Sequence, residues 1–240
     1  MSGHSKWSTI KRQKGAADAK RGATFTKLSN AITIAVKQGG GIGDPDQNFR
    51  LRLAVDAARA SNMPKANIQR AIERATEGKS GDLEEVIYEG FAPGGVSVIV
   101  EAATDNPMRT TAEVKSIFNK SGASFGQPGS VSYQFKQVGR IIVEKNGKSL
   151  DDIYAIALDA QAEDIEDAKE EVFIFTKVSD LTKVKDFLYS SGLVITDAEI
   201  IRKPVITNST TDANQISKIE NFISSLENLD DVQKVYTNLA

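Results

Sequence analysis

Apolar residues recur every three or four positions through the first third of the chain and every second position in much of the rest. Phe25, Leu28, Ile32 and Val36 predict a helix over 22–38, stopped by Gly39-Gly40-Gly41. Asp44-Pro45 reads as a cap and first turn for a second helix, with Phe49, Leu53, Ala57 and Ala60 on one side and Arg52 and Arg59 elsewhere. Asn62-Met63-Pro64 restarts the chain. The third helix turns Ile68, Ile72 and Ala75 inward, places Arg70 and Arg74 one turn apart, and ends at Gly78. Residues 1–80 therefore read as a three-helix domain preceded by an arm.

The period changes near residue 81. Val96, Val98 and Val100 alternate with Ser97, Ile99 and Glu101, and Val131, Tyr133 and Phe135 alternate with Ser132 and Gln134, both strand patterns. Val114, Ile117 and Phe118 lie between them at helical spacing. Further strands are predicted at 140–145, 172–176, 193–201 and 232–236. Helices are predicted at 150–160, around Leu181, Val184, Phe187 and Leu188, and around Ile216, Ile219, Ile223 and Leu226. Paired strands between single helices indicate α+β layers rather than a doubly wound parallel sheet. There is material for two such units, with breaks near 136–139 and between Pro204 and Asp212.

Composition removes whole classes of chemistry. The 240 residues include no cysteine and one histidine, His4. That excludes a thiol nucleophile, a disulfide framework and Cys- or His-clustered metal sites. A serine triad would need His4 as its base, in a polar arm that offers nothing to hold it. The opening residues run into charge rather than an apolar stretch, and no window approaches the roughly 18 apolar residues of a membrane span, so a cytoplasmic location without membrane contact is expected.

The net charge of −2 hides a segregation. Residues 1–80 carry 15 Lys/Arg against 6 Asp/Glu, a balance of +9, whereas residues 81–240 carry 15 against 26, a balance of −11. A basic end joined to an acidic body suits a polyanionic partner. Lys6, Lys11, Arg12, Lys14, Lys20, Arg21 and Lys27 crowd the first 27 residues, and Trp7, the single tryptophan, lies among them. An aromatic ring among cations suits an unpaired base, which stacks whatever its identity.

Several apparent motifs fail. Gly78-Lys79-Ser80 and Gly147-Lys148-Ser149 resemble the end of a phosphate loop, but Glu73 and Ile142 stand where the earlier glycine is required. Both read as turns. Gly39–Gly43 lacks the strand-before, helix-after context of a dinucleotide site and reads as a loose loop. The acidic stretch of Asp151, Asp152, Glu163, Asp164, Glu166, Asp167, Glu170 and Glu171 contains no calcium-loop pattern and reads as a solvated face.

Specific runs carry a family resemblance. Gly3-His4-Ser5-Lys6-Trp7, Lys14-Gly15-Ala16, Asp18-Ala19-Lys20-Arg21, Phe25-Thr26-Lys27-Leu28, Asn62-Met63-Pro64-Lys65-Ala66-Asn67-Ile68, Tyr88-Glu89-Gly90-Phe91-Ala92-Pro93-Gly94-Gly95 and Thr104-Asp105-Asn106-Pro107 together resemble the YebC/PmpR family. The resemblance spans essentially the whole chain and is weaker over 145–212. Gln127-Pro128 departs from the small or polar residues expected there. The resemblance implies an α+β multidomain protein: an all-helical N-terminal domain plus two sandwich-like α+β domains, the third inserted in the second. The expected boundaries are 1–80, 81–136 with 207–240, and 137–206. It also implies a non-enzymatic regulator of gene expression with no cofactor or metal. Family members are described as DNA-binding transcriptional regulators or as translation factors linked to the ribosome.

The expected nucleic-acid contacts are Lys6, Trp7, Lys11, Arg12, Lys14, Lys20, Arg21 and Lys27, with Arg70 and Arg74. The partner is DNA or ribosomal RNA, within the ribosome or apart from it, bound by a monomer or weak dimer. No recognition-helix pattern in a dimeric frame is evident, so the residues favour structured RNA at least as much as a DNA operator. The competing class is a protein-interaction scaffold whose acidic body binds a basic partner.

Overall fold

The computed structural model describes residues 21–78 and 81–240. Among the described residues three helices come first: α1 (Arg21–Gln38), α2 (Phe49–Ala60) and α3 (Lys65–Thr76). They share a core built from Ile32, Val36, Leu51, Val55, Ala58, Met63, Ile68 and Ile72. Phe25 and Leu28 are partly buried against it.

Helix α2 starts later, and faces differently, than its sequence signals imply. The Asp44 carboxylate is used in a local turn, accepting from the Asp46 backbone N–H at 2.9 Å and the Gln47 amide at 3.0 Å. The cap is Asn48. Its carboxamide accepts from Leu51 N and donates to the carbonyls of Ala35 and Ile42, so one buried side chain satisfies three backbone groups. That requirement outweighs the Asp-Pro signal. The inward residues are Leu51, Val55 and Ala58, while Phe49 is exposed. The sequence FRLRLAVDAARA offers apolar residues on two faces, and only packing against α1 and α3 selects between them.

Next come β1 (Glu84–Ala92), β2 (Val96–Thr104), α4 (Pro107–Lys120), the short β3 (Ser124–Phe125), a 3-10 turn at Ser132–Gln134, and β4 (Phe135–Glu144). The remaining elements are α5 (Leu150–Asp159), β5 (Asp164–Ala168), β6 (Glu171–Thr176), α6 (Leu181–Ser190), β7 (Val194–Pro204), α7 (Ala213–Glu227) and β8 (Val232–Thr237). Two four-stranded antiparallel sheets result, ordered β3-β1-β2-β8 and β5-β6-β4-β7. The described residues divide into two compact units, 135–205 and the flanking 21–134 with 206–239. The second sheet is thus inserted into the first, whose last helix and strand arrive from the C-terminal end.

In the first sheet, β1 and β2 form a hairpin from Glu84↔Thr104 to Ala92↔Val96. Its loop, Pro93-Gly94-Gly95, takes positive φ at both glycines, a region that costs an L side chain energy. Helices α4 and α7 meet through the edge-to-face pair Phe118–Phe222, with ring centroids 4.9 Å apart, and Phe118 also meets Phe125 on β3. Strand β2 is buried along nearly its whole length, Ser97 and Ile99 included.

The alternation of Val131, Tyr133 and Phe135 predicts a strand, but residues 132–134 form a 3-10 turn and the strand begins only at Phe135. Glu89 on β1 is the cause. Its carboxylate, only 6% exposed, accepts from the backbone N–H groups of Gly129, Val131 and Ser132 at 2.7–2.9 Å. Amides held by a carboxylate are unavailable to a β ladder. Asp231, just before β8, has a similar role: it accepts from Arg109 at 2.8 Å, Thr110 at 2.6 Å and Thr104 at 3.0 Å, tying the ends of β2, α4 and β8 together. Burial pushes its carboxyl up, but those hydrogen bonds and the Arg109 charge outweigh it and hold the carboxyl below the usual range.

The acidic stretch is an edge strand rather than a plain solvated face. Strand β5 pairs with β6 from Asp164↔Phe175 to Ala168↔Glu171. Lys203 bonds Asp164 at 2.6 Å and Glu166 at 2.9 Å, Lys145 bonds Asp167 at 2.6 Å, and Lys136 bonds Glu163 at 3.2 Å. The Lys203 ammonium also sits 3.6 Å from the centroid of Phe175. Charge balance across strands makes an acidic edge tenable. The second Gly-Lys-Ser triplet is a turn: Gly147 has φ +81°, and Ser149 caps α5 by accepting from Asp152 N.

Candidate nucleic-acid interface

Among the expected contacts, Lys6, Trp7, Lys11, Arg12, Lys14 and Lys20 lie outside the described residues, as does the side chain of Arg21. Lys27, Arg70 and Arg74 are placed, and they divide sharply.

Lys27 is half-buried, and its ammonium donates to the carbonyl of Glu227 at 2.6 Å, the last residue of α7. A cation at a helix C-terminus satisfies an orphan carbonyl and complements the negative end of the dipole. Lys27 therefore fastens the helical domain to the first sheet's closing helix.

Arg70 and Arg74 stand one turn apart on the exposed side of α3. The chain enters α3 through Asn62, at φ +57°, and Pro64. Met63 is driven into the core, and Ile68, Ala71, Ile72 and Ala75 follow it inward, which leaves Gln69, Arg70, Glu73 and Arg74 outside. Arg70 donates to the Asn67 carboxamide oxygen at 3.3 Å, and neither arginine pairs with a carboxylate among the described residues. The arginines of α2 are engaged locally instead. Arg52 bonds the carbonyls of Pro45 and Asp46, Arg59 lies 3.7 Å from Asp56, and Arg50 lies over the Phe49 ring.

The two α3 arginines border a cleft of about 380 Å³ between α1 and α3. Phe25, Met63, Ala71 and Leu83 supply its apolar lining, and Thr26, Ser29, Asn30, Thr33 and Asn67 its uncharged polar groups. Asp105 is the one carboxylate among the lining residues, and Arg109 bonds it at 3.1 Å. Sequence reasoning singled out Arg70 and Arg74 but took Phe25 only as core and missed Asn30 and Asn67. A signal was present: Thr26, Ser29, Asn30 and Thr33 repeat at the helical period and mark a continuous polar stripe on α1.

The sequence as a whole matches two family models, the TACO1/YebC protein N-terminal domain over residues 5–78 and the TACO1/YebC second and third domain over residues 83–239. The chain belongs to the TACO1/YebC family. A probable transcriptional regulatory protein from Roseiflexus castenholzii is 49% identical over 247 residues, covering all of this chain and 95% of the relative. One from Chloroflexus aggregans is 47% identical, with the same coverage. The crystal structure of a conserved hypothetical protein from Aquifex aeolicus, 40% identical, superposes with a TM-score of 0.85 over 93% of this chain and 91% of that one. The TACO1/YebC assignment agrees with the three-part α+β architecture and the insertion of the second sheet into the first. Among the described residues no helix is long and apolar enough to cross a membrane.

Proposed function

We propose that this TACO1/YebC-family chain is a non-enzymatic, cytoplasmic regulator of gene expression that works by gripping nucleic acid with its N-terminal 80 residues. The observation that carries the reading is the charge segregation, +9 over residues 1–80 against −11 over the remainder. The basic part attracts phosphate and the acidic remainder is repelled by it, so binding is oriented as well as strong. Lys6, Lys11, Arg12, Lys14, Lys20 and Arg21 supply the charge of the arm, Trp7 stacks on an exposed base, and Arg70 and Arg74 extend the basic surface onto α3. Lys27 supports this surface by holding α1 in place. We assign 1–80 to binding, and 81–136 with 207–240 and the inserted 137–206 to the body that carries it. The names of the relatives, probable transcriptional regulatory proteins, favour DNA as the target.

The test is a titration of the full chain, and of a chain lacking residues 1–21, against a promoter fragment, random-sequence DNA and purified ribosomes over a salt series. Five or six phosphate contacts on duplex DNA give a log–log slope of about −5. Truncation is expected to flatten the slope and abolish tight binding. Undiminished binding by the truncated chain overturns the reading. Tight ribosome binding, with promoter affinity no better than random, replaces transcription with translation as the process regulated.

A further inference from the structure

The cleft between α1 and α3 combines apolar, carboxamide and cationic lining, a mixture that a merely basic surface does not need. We infer that it is a pocket for a single unpaired nucleotide, so that the nucleic acid this protein takes is single-stranded where it meets the helical domain. The inference rests on the nucleic-acid reading above and narrows it.

A duplex meets a protein through its phosphates and groove edges, and its base faces are stacked out of reach. An unpaired nucleotide offers a flat π-face, a free base edge and a phosphate together. The cleft supplies a counterpart for each. The half-buried Phe25 ring, beside Met63 and Ala71, gives an apolar surface for the base face. Asn30 and Asn67 place carboxamides at the lining, groups whose paired donor and acceptor match a base edge. Asn67 gives its oxygen to Arg70, which leaves its NH₂ group to donate to a ligand acceptor. Arg70 and Arg74, with Cβ atoms about 5–6 Å apart at one helical turn, stand at the border for the phosphates on either side of the base. The volume of about 380 Å³ lies at the small end of ligand sites, enough for one base and its sugar and far short of a duplex. Asp105 is ion-paired at 3.1 Å with Arg109, a cation it shares with Asp231.

The test titrates the full chain with fluorescein-labelled decauridylate, decathymidylate and a ten-base-pair hairpin over a salt series. Phe25→Leu keeps the core packing and removes the stacking ring, Asn30→Ala removes a base-edge partner, and Arg70→Ala/Arg74→Ala removes the phosphate contacts. Both single strands are expected to bind at least tenfold tighter than the hairpin. Phe25→Leu is expected to weaken them about 5- to 150-fold, the range for one lost stacking contact, and Asn30→Ala about 2- to 12-fold, with hairpin affinity moving less than twofold. The double arginine variant is expected to reduce the single-strand salt slope by about 1.4. A 4-thiouridine probe is expected to cross-link within residues 25–33 or 63–74. Tighter binding of uridylate than thymidylate identifies RNA as the source of the unpaired nucleotide, and equal binding identifies either strand. Equal affinity for strand and hairpin, or single-strand binding indifferent to Phe25→Leu and Asn30→Ala, or cross-links confined to residues 1–20, overturns the pocket while leaving nucleic-acid binding intact. Failure to bind any probe overturns both.

Discussion

Replacing Glu89 tests whether one buried carboxylate shapes the loop between the two sheets. In the native chain it accepts three backbone N–H bonds, from Gly129 at 2.8 Å, Val131 at 2.7 Å and Ser132 at 2.9 Å. Glu89→Ala strands all three donors. The Val131 bond is buried and the other two are partly so, which lets water recover some of the loss. At about 1–3 kcal/mol for a buried donor left unmade and less for the wetter two, the variant is expected to lose about 2–4 kcal/mol. Glu89→Gln keeps one oxygen but turns an NH₂ group toward an N–H, and is expected to lose about 1–2 kcal/mol. The pH dependence identifies the cause. Burial pushes the Glu89 carboxyl up, but the backbone N–H groups of Val131, Gly129 and Ser132 and the Ser132 hydroxyl outweigh it, and the folded-state value falls below the ordinary one. A depressed carboxyl stabilises the fold fully above its unfolded pKa of about 4.3 and loses that contribution as pH falls through the folded value. Urea unfolding of wild type and Glu89→Gln should therefore differ most near pH 7 and converge below pH 4. A gap of the same size at pH 7 and pH 3, or a loss under about 0.5 kcal/mol for Glu89→Ala, would refute the assignment.

Asn48→Ala removes the cap of α2 together with two buried donors to Ala35 and Ile42, and is expected to cost about 2–4 kcal/mol, read as an earlier thermal loss of helical circular dichroism. Asn48→Asp should recover only the capping part, because a carboxylate accepts from Leu51 N but cannot donate. Gly90→Ala would drive a methyl group into the Ser124 carbonyl and the Phe118 ring, since β1 and β3 are paired at that point. A loss of about 2–3 kcal/mol in the unfolding free energy from urea titration is expected, and a variant as stable as wild type would contradict the close approach.

How much of this molecule was legible depended on the range of the interactions involved. The helices of the N-terminal domain and the alternation of later strands and helices follow from local periodicity, since most have a wet side and a dry side that the residue pattern records, whereas β2, buried on both faces, is marked by its run of β-branched residues. Strand β1 was missed because Glu84, Glu85 and Glu89 break its apolar pattern, and Glu89 is tolerated only because three amides from residues 129–132 come to it across some forty positions of sequence. Strand β5 looked like solvated charge because its partners lie elsewhere in the sheet: Lys136 on β4, Lys145 just after β4, and Lys203 on β7. The proposed site follows the same rule. Arg70 and Arg74 were visible as cations one turn apart, while Phe25 was taken for core because a ring at a cleft edge and a ring beneath one share the same helical spacing.

By itself, the sequence determined the class of layers, the sorting of charge between the two ends, and the exclusion of cysteine- and histidine-based chemistry, because these depend on composition and on contacts a few residues apart. Only the tertiary structure decided which cations stay at the surface and which are taken up internally. Lys27 and Arg74 are both basic residues on amphipathic helices, and nothing near Lys27 in the sequence announces that the end of α7, two hundred residues away, will claim its ammonium. The energy of a charge depends on what is brought next to it, and for this chain that is settled by packing between distant segments.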